Sequence, residues 1–142
     1  MQTRSIERLH LVRIDVGEKI IECLTAFIKE RDIQSGFITG IGATSHATIA
    51  WYDVETGEYI TTEIDEICEL TSLVGNISWF EGQPMIHAHV TLGKRDYSII
   101  GGHLIEAVIG VTGEFWIHST PIKIVRTLSQ FKKIKLIDFD AK

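Results

Sequence analysis

Apolar residues recur with a helical period in the segment that spans residues 15–33. Side chains three or four positions apart share one face of a helix. On this face lie Ile20, Ile21, Leu24, Phe27 and Ile28. Asp15 or Gly17 can begin the helix, with Glu18 in a first turn where the helix dipole favours negative charge. The pattern predicts one main helix near the start of the chain.

Most of the remaining chain consists of short apolar runs separated by turn residues, a pattern typical of about eight strands. Residues 8–14 alternate as the first of them, and "IKLIDFD" closes the series. Thr56-Gly57 marks one hairpin turn, and a turn around Gly93–Asp96 joins two further strands. One helix with mostly hairpin-linked strands indicates an α+β domain dominated by an antiparallel sheet.

The segment "GFITGIGATS" resembles part of a dinucleotide-binding fingerprint, with glycines at positions 40 and 42. The third glycine of that fingerprint is missing, and the residues that follow have the pattern of a strand and not of a helix. We therefore expect a tight turn within the sheet and no nucleotide site.

Length and charge limit the classes of protein to consider. A chain of 142 residues fits one domain, which we take as residues 1–142. The net charge of −5 argues against direct binding to nucleic acid, and short basic stretches occur only at 94–96 and 131–135, the second expected to be solvated. No apolar run is long enough to span a bilayer, and no secretory leader is evident. Cys23 and Cys68 are expected to be free thiols of a cytoplasmic protein.

Three of the six histidines fall within residues 87–103. His87 and His89 are two positions apart, so on a strand they point the same way with Cα atoms about 6.7 Å apart. Two such imidazoles can bind one Zn²⁺ ion. If the following hairpin turns near Arg95, His103 lies directly across from His87 and supplies a third ligand. Ordinary strand histidines that happen to cluster remain the alternative at this point.

The residues around this cluster resemble the PPC domain family, the "plants and prokaryotes conserved" domain, also called DUF296. The shared elements are the H-x-H pair, a short Gly/acidic turn, "GGHL.E" and a strand with Glu114. Upstream, Gly17-Glu18 at the expected helix start and the turn-like "GIGATS" are also similar. The resemblance extends over residues 6–139.

The resemblance implies a strongly bent antiparallel sheet with one packed helix, assembled as a homotrimer. It also implies a bound metal, usually zinc, with His87, His89 and His103 as its ligands. Plant members carry basic DNA-binding motifs beside this domain, but this chain has no Arg-Gly-Arg-Pro core, so no DNA-binding residue is assigned.

Three other polar residues near the cluster could line a pocket beside the metal or form a hydrogen bond with the second ring nitrogen of a histidine ligand. These are Thr91, Glu106 and Glu114. His10, His46 and His118 are expected to be structural, because isolated histidines seldom bind metal. The main aromatic residues are expected in the core or at an interface: Trp51, Trp79, Phe80, Phe115 and Trp116.

The preferred functional hypothesis is a zinc-dependent protein that binds or converts a small molecule. The first alternative is a DNA-associated or protein-interaction module without catalytic activity. The second is a scaffold in which the histidines only stabilise a trimer. The sequence contains no recognisable nucleophile motif or phosphate-binding loop, so it names no substrate.

Overall fold

The computed structural model describes residues 1–130 and 134–141. Within these ranges the chain forms one helix and nine strands. They are β1 (Gln2–Ile6), β2 (Leu9–Ile14), α1 (Ile20–Glu30), β3 (Ser35–Asp53), β4 (Glu58–Ile64), β5 (Cys68–Phe80), β6 (Gln83–Gly93), β7 (Ile99–Thr120), β8 (Val125–Leu128) and β9 (Lys135–Asp138). The solvated segment expected at 131–135 lies mostly outside the described residues.

All nine strands belong to one sheet, and every pairing is antiparallel except a single parallel contact between Trp79 and Val125. The two longest strands, β3 and β7, pair along almost their whole length. β5 pairs with β3, and β6 pairs with both β5 and the start of β7. These four strands therefore form a closed ring of pairings. The prediction of a mostly antiparallel sheet with one helix is confirmed.

The segment expected to be a tight turn, residues 36–45, is instead part of the continuous strand β3. The pairings of β3 shift register on both sides of Gly42. A Cβ on Gly42 would lie 2.1 Å from the Thr112 carbonyl oxygen, so two backbones meet too closely for a side chain. Glycine is required here for backbone proximity, and no helix follows it.

The helix α1 packs its apolar face on the sheet. Its buried side chains are Ile20, Leu24, Phe27 and Ile28, as the periodicity predicts. The helix begins at Ile20, later than expected, because the preceding residues are tied to β7. The Gly17 N–H donates to the Ile109 carbonyl, and Lys19 forms an isolated bridge with Val108. Glu18 consequently lies before the helix and not in its first turn.

Candidate metal centre

His89 and His103 face each other directly across the β6–β7 ladder. This register differs by two positions from the prediction, which placed His103 opposite His87. The reason is the turn, which centres on Asp96 and not on Arg95. The Asp96 carboxylate accepts the N–H of Ser98 at 2.9 Å and its hydroxyl at 2.6 Å. His87 thus lies diagonal to His103, opposite Asn76 of β5.

The three histidines nevertheless converge on one face of the sheet. Ring centroids are 5.3 Å apart for His87 and His89, 5.1 Å for His87 and His103, and 5.6 Å for His89 and His103. One nitrogen from each ring can be chosen so that all three lie within 4.8 Å of one another. Ala88 and Val90, between and after the histidine pair, are buried on the opposite face. The strand period therefore separates a polar cluster from the core.

Two glycines allow the strands beside His103 to come close together. A Cβ on Gly101 would lie 2.5 Å from the Val90 carbonyl oxygen, and one on Gly102 would lie 2.9 Å from that of Ala50. Both distances are too short for any real side chain. A glycine pair inside a strand can mark either a bulge or a close approach of two backbones. Here it marks close approach, since the β6–β7 ladder contains no register shift.

The surroundings of His87 and His103 favour neutral imidazoles at these two positions. Burial, with smaller contributions from His87 and His89, lowers the pKa of His103 to about 4. Burial and the nearby Arg126 charge also lower the pKa of His87. The Nδ1 atom of His103 is buried and has no hydrogen-bond partner in the described part of the chain. A neutral imidazole with an unused lone pair is the form that binds a metal ion.

The histidines line two adjoining pockets. The first, of about 360 Å³, includes Trp51 and Tyr59 as well as all three histidines. The second, of about 320 Å³, shares Tyr59, His87 and His103 with it and extends to Arg126. The Tyr59 ring lies 5.1 Å from that of His103. A group held by the histidines would therefore face a largely apolar, aromatic space.

Arg126, on the short strand β8, is a residue of the site that sequence reasoning missed. Its side chain is 7% exposed. The guanidinium donates to the Ser78 hydroxyl at 2.8 Å, the Lys135 carbonyl at 2.7 Å and the Asn76 side-chain oxygen at 3.0 Å. Its fourth contact is with His87 Nδ1 at 3.5 Å. The only signal available was an arginine inside an apolar strand pattern, which does not reveal its neighbours.

Glu106 and Glu114, the two carboxylates expected beside the histidine cluster, lie elsewhere. The Glu106 carboxylate accepts the backbone N–H groups of Ile21 at 2.7 Å and Glu22 at 3.2 Å, so it caps α1 on the core side of the sheet. Glu114 lies opposite Arg13 and lines a separate groove with Trp116. Neither carboxylate is brought to the histidine cluster.

Thr91 continues the histidine face of β6, opposite Gly101. Its backbone carbonyl accepts a hydrogen bond from the Thr71 hydroxyl at 3.0 Å. The side chain does not line either of the two histidine pockets. Thr91 shares the face, as the strand period predicts, but lies at the far side of His89.

The other histidines have separate surroundings. His10 is buried between the hydroxyls of Ser5 and Ser119, and His46 contacts two exposed carboxylates. His118 packs against Phe37. Among the predicted core or interface aromatics, Phe115 is fully buried, whereas Trp51 is 74% exposed.

The fold is thus a mostly antiparallel sheet with one helix, and the three histidines lie on the face of the sheet opposite the core. The chain belongs to the Plants and Prokaryotes Conserved (PCC) domain family, whose pattern matches residues 1–121. The family resemblance predicted from the sequence is therefore confirmed. No curated protein matches the chain.

Three solved structures illustrate the relationship. A proposed DNA-binding protein of Bacteroides thetaiotaomicron is 34% identical, with coverage of 99% of this chain and 98% of the other and a TM-score of 0.96. A metal-containing protein of Archaeoglobus fulgidus is 32% identical over 94% of both chains, with a TM-score of 0.86. A plant- and prokaryote-conserved protein of Pyrococcus horikoshii is 30% identical over 99% and 97%, with a TM-score of 0.85. No helix in the described ranges is long and apolar enough to cross a membrane.

Proposed function

We propose that this protein binds a divalent metal ion, with zinc the best match, through His87, His89 and His103. The observation that carries the proposal is the convergence of three imidazoles in which the buried Nδ1 of His103 has no other partner among the described residues. Three nitrogen ligands suit Zn²⁺ and leave one tetrahedral position open. The relative from Archaeoglobus fulgidus is a metal-containing protein, which supports the presence of a metal in this chain.

The open position supports a role in binding or converting a small molecule. A structural zinc site is normally closed by four protein ligands, whereas a catalytic site keeps a position for water or substrate. Zinc in such a site lowers the pKa of bound water to about 7 and polarises carbonyl groups. The pockets beside the histidines provide room for a ligand against Tyr59 and Trp51.

The proposed assembly is a homotrimer, as the family resemblance implies. Trp51 and Ile60 form a cross-strand pair on the β3–β4 hairpin and are 74% and 57% exposed. Large apolar side chains paired on one surface are typical of a contact between subunits. Sedimentation equilibrium of the wild type and Trp51→Ser tests this: a trimer that the substitution weakens supports it, and a monomeric wild type contradicts it.

The metal proposal is tested by elemental mass spectrometry on tag-free protein. We expect about one zinc per chain in the wild type, a loss of that zinc in His87→Ala, and full retention in the control His118→Ala. His118 is an exposed histidine of β7 outside the cluster, so its removal changes the histidine count equally. Absence of metal from the wild type after added zinc would exclude the site.

A second candidate function, association with DNA, is favoured by the relative from Bacteroides thetaiotaomicron. The charge of this chain opposes DNA binding, since its net charge is −5 and the buried Arg126 is not available to a phosphate backbone. Direct DNA binding would weaken steeply as salt rises. Fluorescence anisotropy with duplex DNA at two salt concentrations separates the two candidates, and salt-sensitive binding that persists in His87→Ala would favour DNA association.

A further inference from the structure

Arg126 is a buried cation beside the histidine cluster for which the described residues provide no counter-ion. All three of its oxygen acceptors are neutral: a serine hydroxyl, an amide oxygen and a backbone carbonyl. No carboxylate in the described ranges lies within ion-pair distance of the guanidinium. Buried charges are normally paired, because an unpaired one loses its hydration without compensation. Arg126 is only 7% exposed and has no acidic partner among the described residues, so we expect its charge to be balanced by an anion that enters the site.

The surroundings make the charge imbalance larger. Neither of the two histidine pockets contains an aspartate or glutamate among its described lining residues. The other cation there, Lys135, has its Nζ 4.4 Å from the centroid of the Phe80 ring. No acid among the described residues forms an ion pair with it. If the three histidines bound a divalent ion, they would do so as neutral ligands, and metal and guanidinium together would bring three positive charges. An anion that enters the site would reduce that number.

Arg126 also lies where it can contact a small molecule bound to the metal. Its Nη2 atom lies 3.5 Å from His87 Nδ1, at the outer limit of a hydrogen bond, and the residue lines the pocket that reaches both His87 and His103. A guanidinium has five N–H donors, and oxygen acceptors engage three of them here. Donor capacity on the planar group therefore remains for an oxyanion.

The lining of the pockets indicates which anion fits. Phosphate sites usually draw several backbone N–H groups from a helix N-terminus or glycine-rich loop. The helix N-terminus in the described chain already binds the Glu106 carboxylate, on the core side of the sheet. Apart from the histidines, Arg126 and Lys135, the lining is mainly aromatic and aliphatic, with Trp51, Tyr59, Met85 and Leu136. One charged head with an apolar body matches this arrangement better than a phosphate.

We propose that the metal site takes a small organic carboxylate, with one oxygen in the open metal position, the charge balanced by Arg126 and the apolar body against Tyr59 and Trp51. This inference rests on the proposed metal function. It narrows the ligand class to short-chain or aromatic carboxylic acids, and it gives Arg126 the role of a ligand-binding residue.

The test uses protein loaded with Co²⁺, whose visible absorption reports the coordination of the ion. The probes are butyrate and its neutral isostere butyramide. We expect butyrate to change the cobalt spectrum with saturation and butyramide to leave it unchanged. An open metal position attracts anions by itself, so the decisive comparison is Arg126→Gln, where butyrate affinity should fall by about 10- to 100-fold. Lys123→Gln serves as the matched control, because Lys123 lies over the Trp79 ring and is not among the described lining residues of either pocket. Its butyrate affinity should be within about threefold of wild type.

The outcomes separate this inference from the metal proposal. If no cobalt spectrum develops and the protein also fails to bind added zinc, the metal site itself is excluded, and the carboxylate site with it. If cobalt binds but butyrate has no effect, or binds no more tightly than butyramide, the carboxylate inference is overturned while the metal site stands. Equal butyrate affinity in wild type and Arg126→Gln also overturns it. Because Arg126→Gln removes a buried group, Arg126→Lys, which keeps the positive charge, is measured beside it and should bind butyrate more tightly than Arg126→Gln. The comparison of butyrate and butyramide on wild type still decides whether the site takes a carboxylate if neither variant folds, and equal binding of the two probes overturns the inference.

Discussion

His89 and His103 lie directly opposite each other on β6 and β7, with ring centroids 5.6 Å apart. This cross-strand pair, together with His87 two positions before His89, forms the proposed metal centre. The pair joins two strands that belong to the closed ring of β3, β5, β6 and β7. A metal bound there would cross-link strands β6 and β7, so the metal should affect the stability of the protein as well as ligand binding.

Zinc should therefore raise the resistance of the protein to thermal unfolding. At a free zinc concentration of 100 times the dissociation constant, binding to the folded state alone adds about 2.7 kcal/mol. We expect differential scanning fluorimetry to show that zinc raises the Tm of the wild type and leaves the Tm of His89→Ala unchanged. The control His46→Ala, which alters a histidine bound to Glu63 and Asp65, should keep the full shift. An equal shift in His89→Ala would point to zinc bound elsewhere.

Replacing Gly101 by alanine should disturb the strand that carries His103. The new Cβ would lie 2.5 Å from the Val90 carbonyl oxygen, and backbone atoms cannot move aside without shifting β6 or β7. Overpacking of this kind costs about 1–3 kcal/mol. Urea denaturation should show this loss for Gly101→Ala, and metal content should fall with it.

The matched control for that substitution is Gly93→Ala at the end of β6. Its Cβ would meet only side-chain atoms, the nearest being the Thr71 methyl at 3.3 Å. We expect a change in the free energy of unfolding below about 1 kcal/mol. If the two variants were equally stable, close approach of the strands would not explain the glycine at position 101.

Glu106 should contribute to stability and not to metal binding. Its carboxylate caps the first turn of α1, where Lys19 at the N-cap position makes no side-chain hydrogen bond. Loss of a cap costs about 0.5–2 kcal/mol. We expect Glu106→Ala to lower the free energy of unfolding by this amount in chemical denaturation while zinc content stays unchanged. Glu114→Ala, in a separate groove, should change neither quantity, and loss of zinc in Glu106→Ala would refute this assignment.

His10 should make the protein less stable as pH falls below neutrality. Burial, and then the positive charge of Arg31, lowers the pKa of His10 below its value of about 6.5 in the unfolded chain. The neutral ring is held by the hydroxyls of Ser5 on β1 and Ser119 on β7, with the Phe27 ring of α1 against its side. Its stabilising contribution is full above about pH 6.5 and is lost as pH drops from there towards the folded pKa.

The measurement is urea unfolding between about pH 7.5 and pH 5.5 for the wild type and His10→Gln. We expect a smaller loss of stability on acidification in His10→Gln, because the unfolded state no longer gains this proton. The control His118→Gln, at an exposed position, should keep the wild-type pH dependence. An unchanged pH dependence in His10→Gln would show that other groups carry it.

Local patterns predicted those parts of the fold that depend on neighbouring residues. The apolar positions of α1 were correct because a helical face is set by spacing alone. The hairpin that contains His89 and His103 was found from its turn residues, but its register was two positions off. Register depends on how Asp96 and Ser98 close the turn through side-chain hydrogen bonds, which spacing does not show. Strand β1 was missed because all five of its residues are exposed and lack an apolar alternation.

By itself the sequence determined the histidine triad, the single helix, the antiparallel sheet and the family. These follow from periodicity, from the short H-x-H spacing and from a motif order along the chain. Only the tertiary structure decided that Glu106 caps α1 and that Arg126 lies beside His87, 39 positions away in the chain. The first contact joins a strand to the helix and the second joins two strands, in each case elements distant in sequence. Such contacts are set by packing of the whole sheet and not by any local pattern.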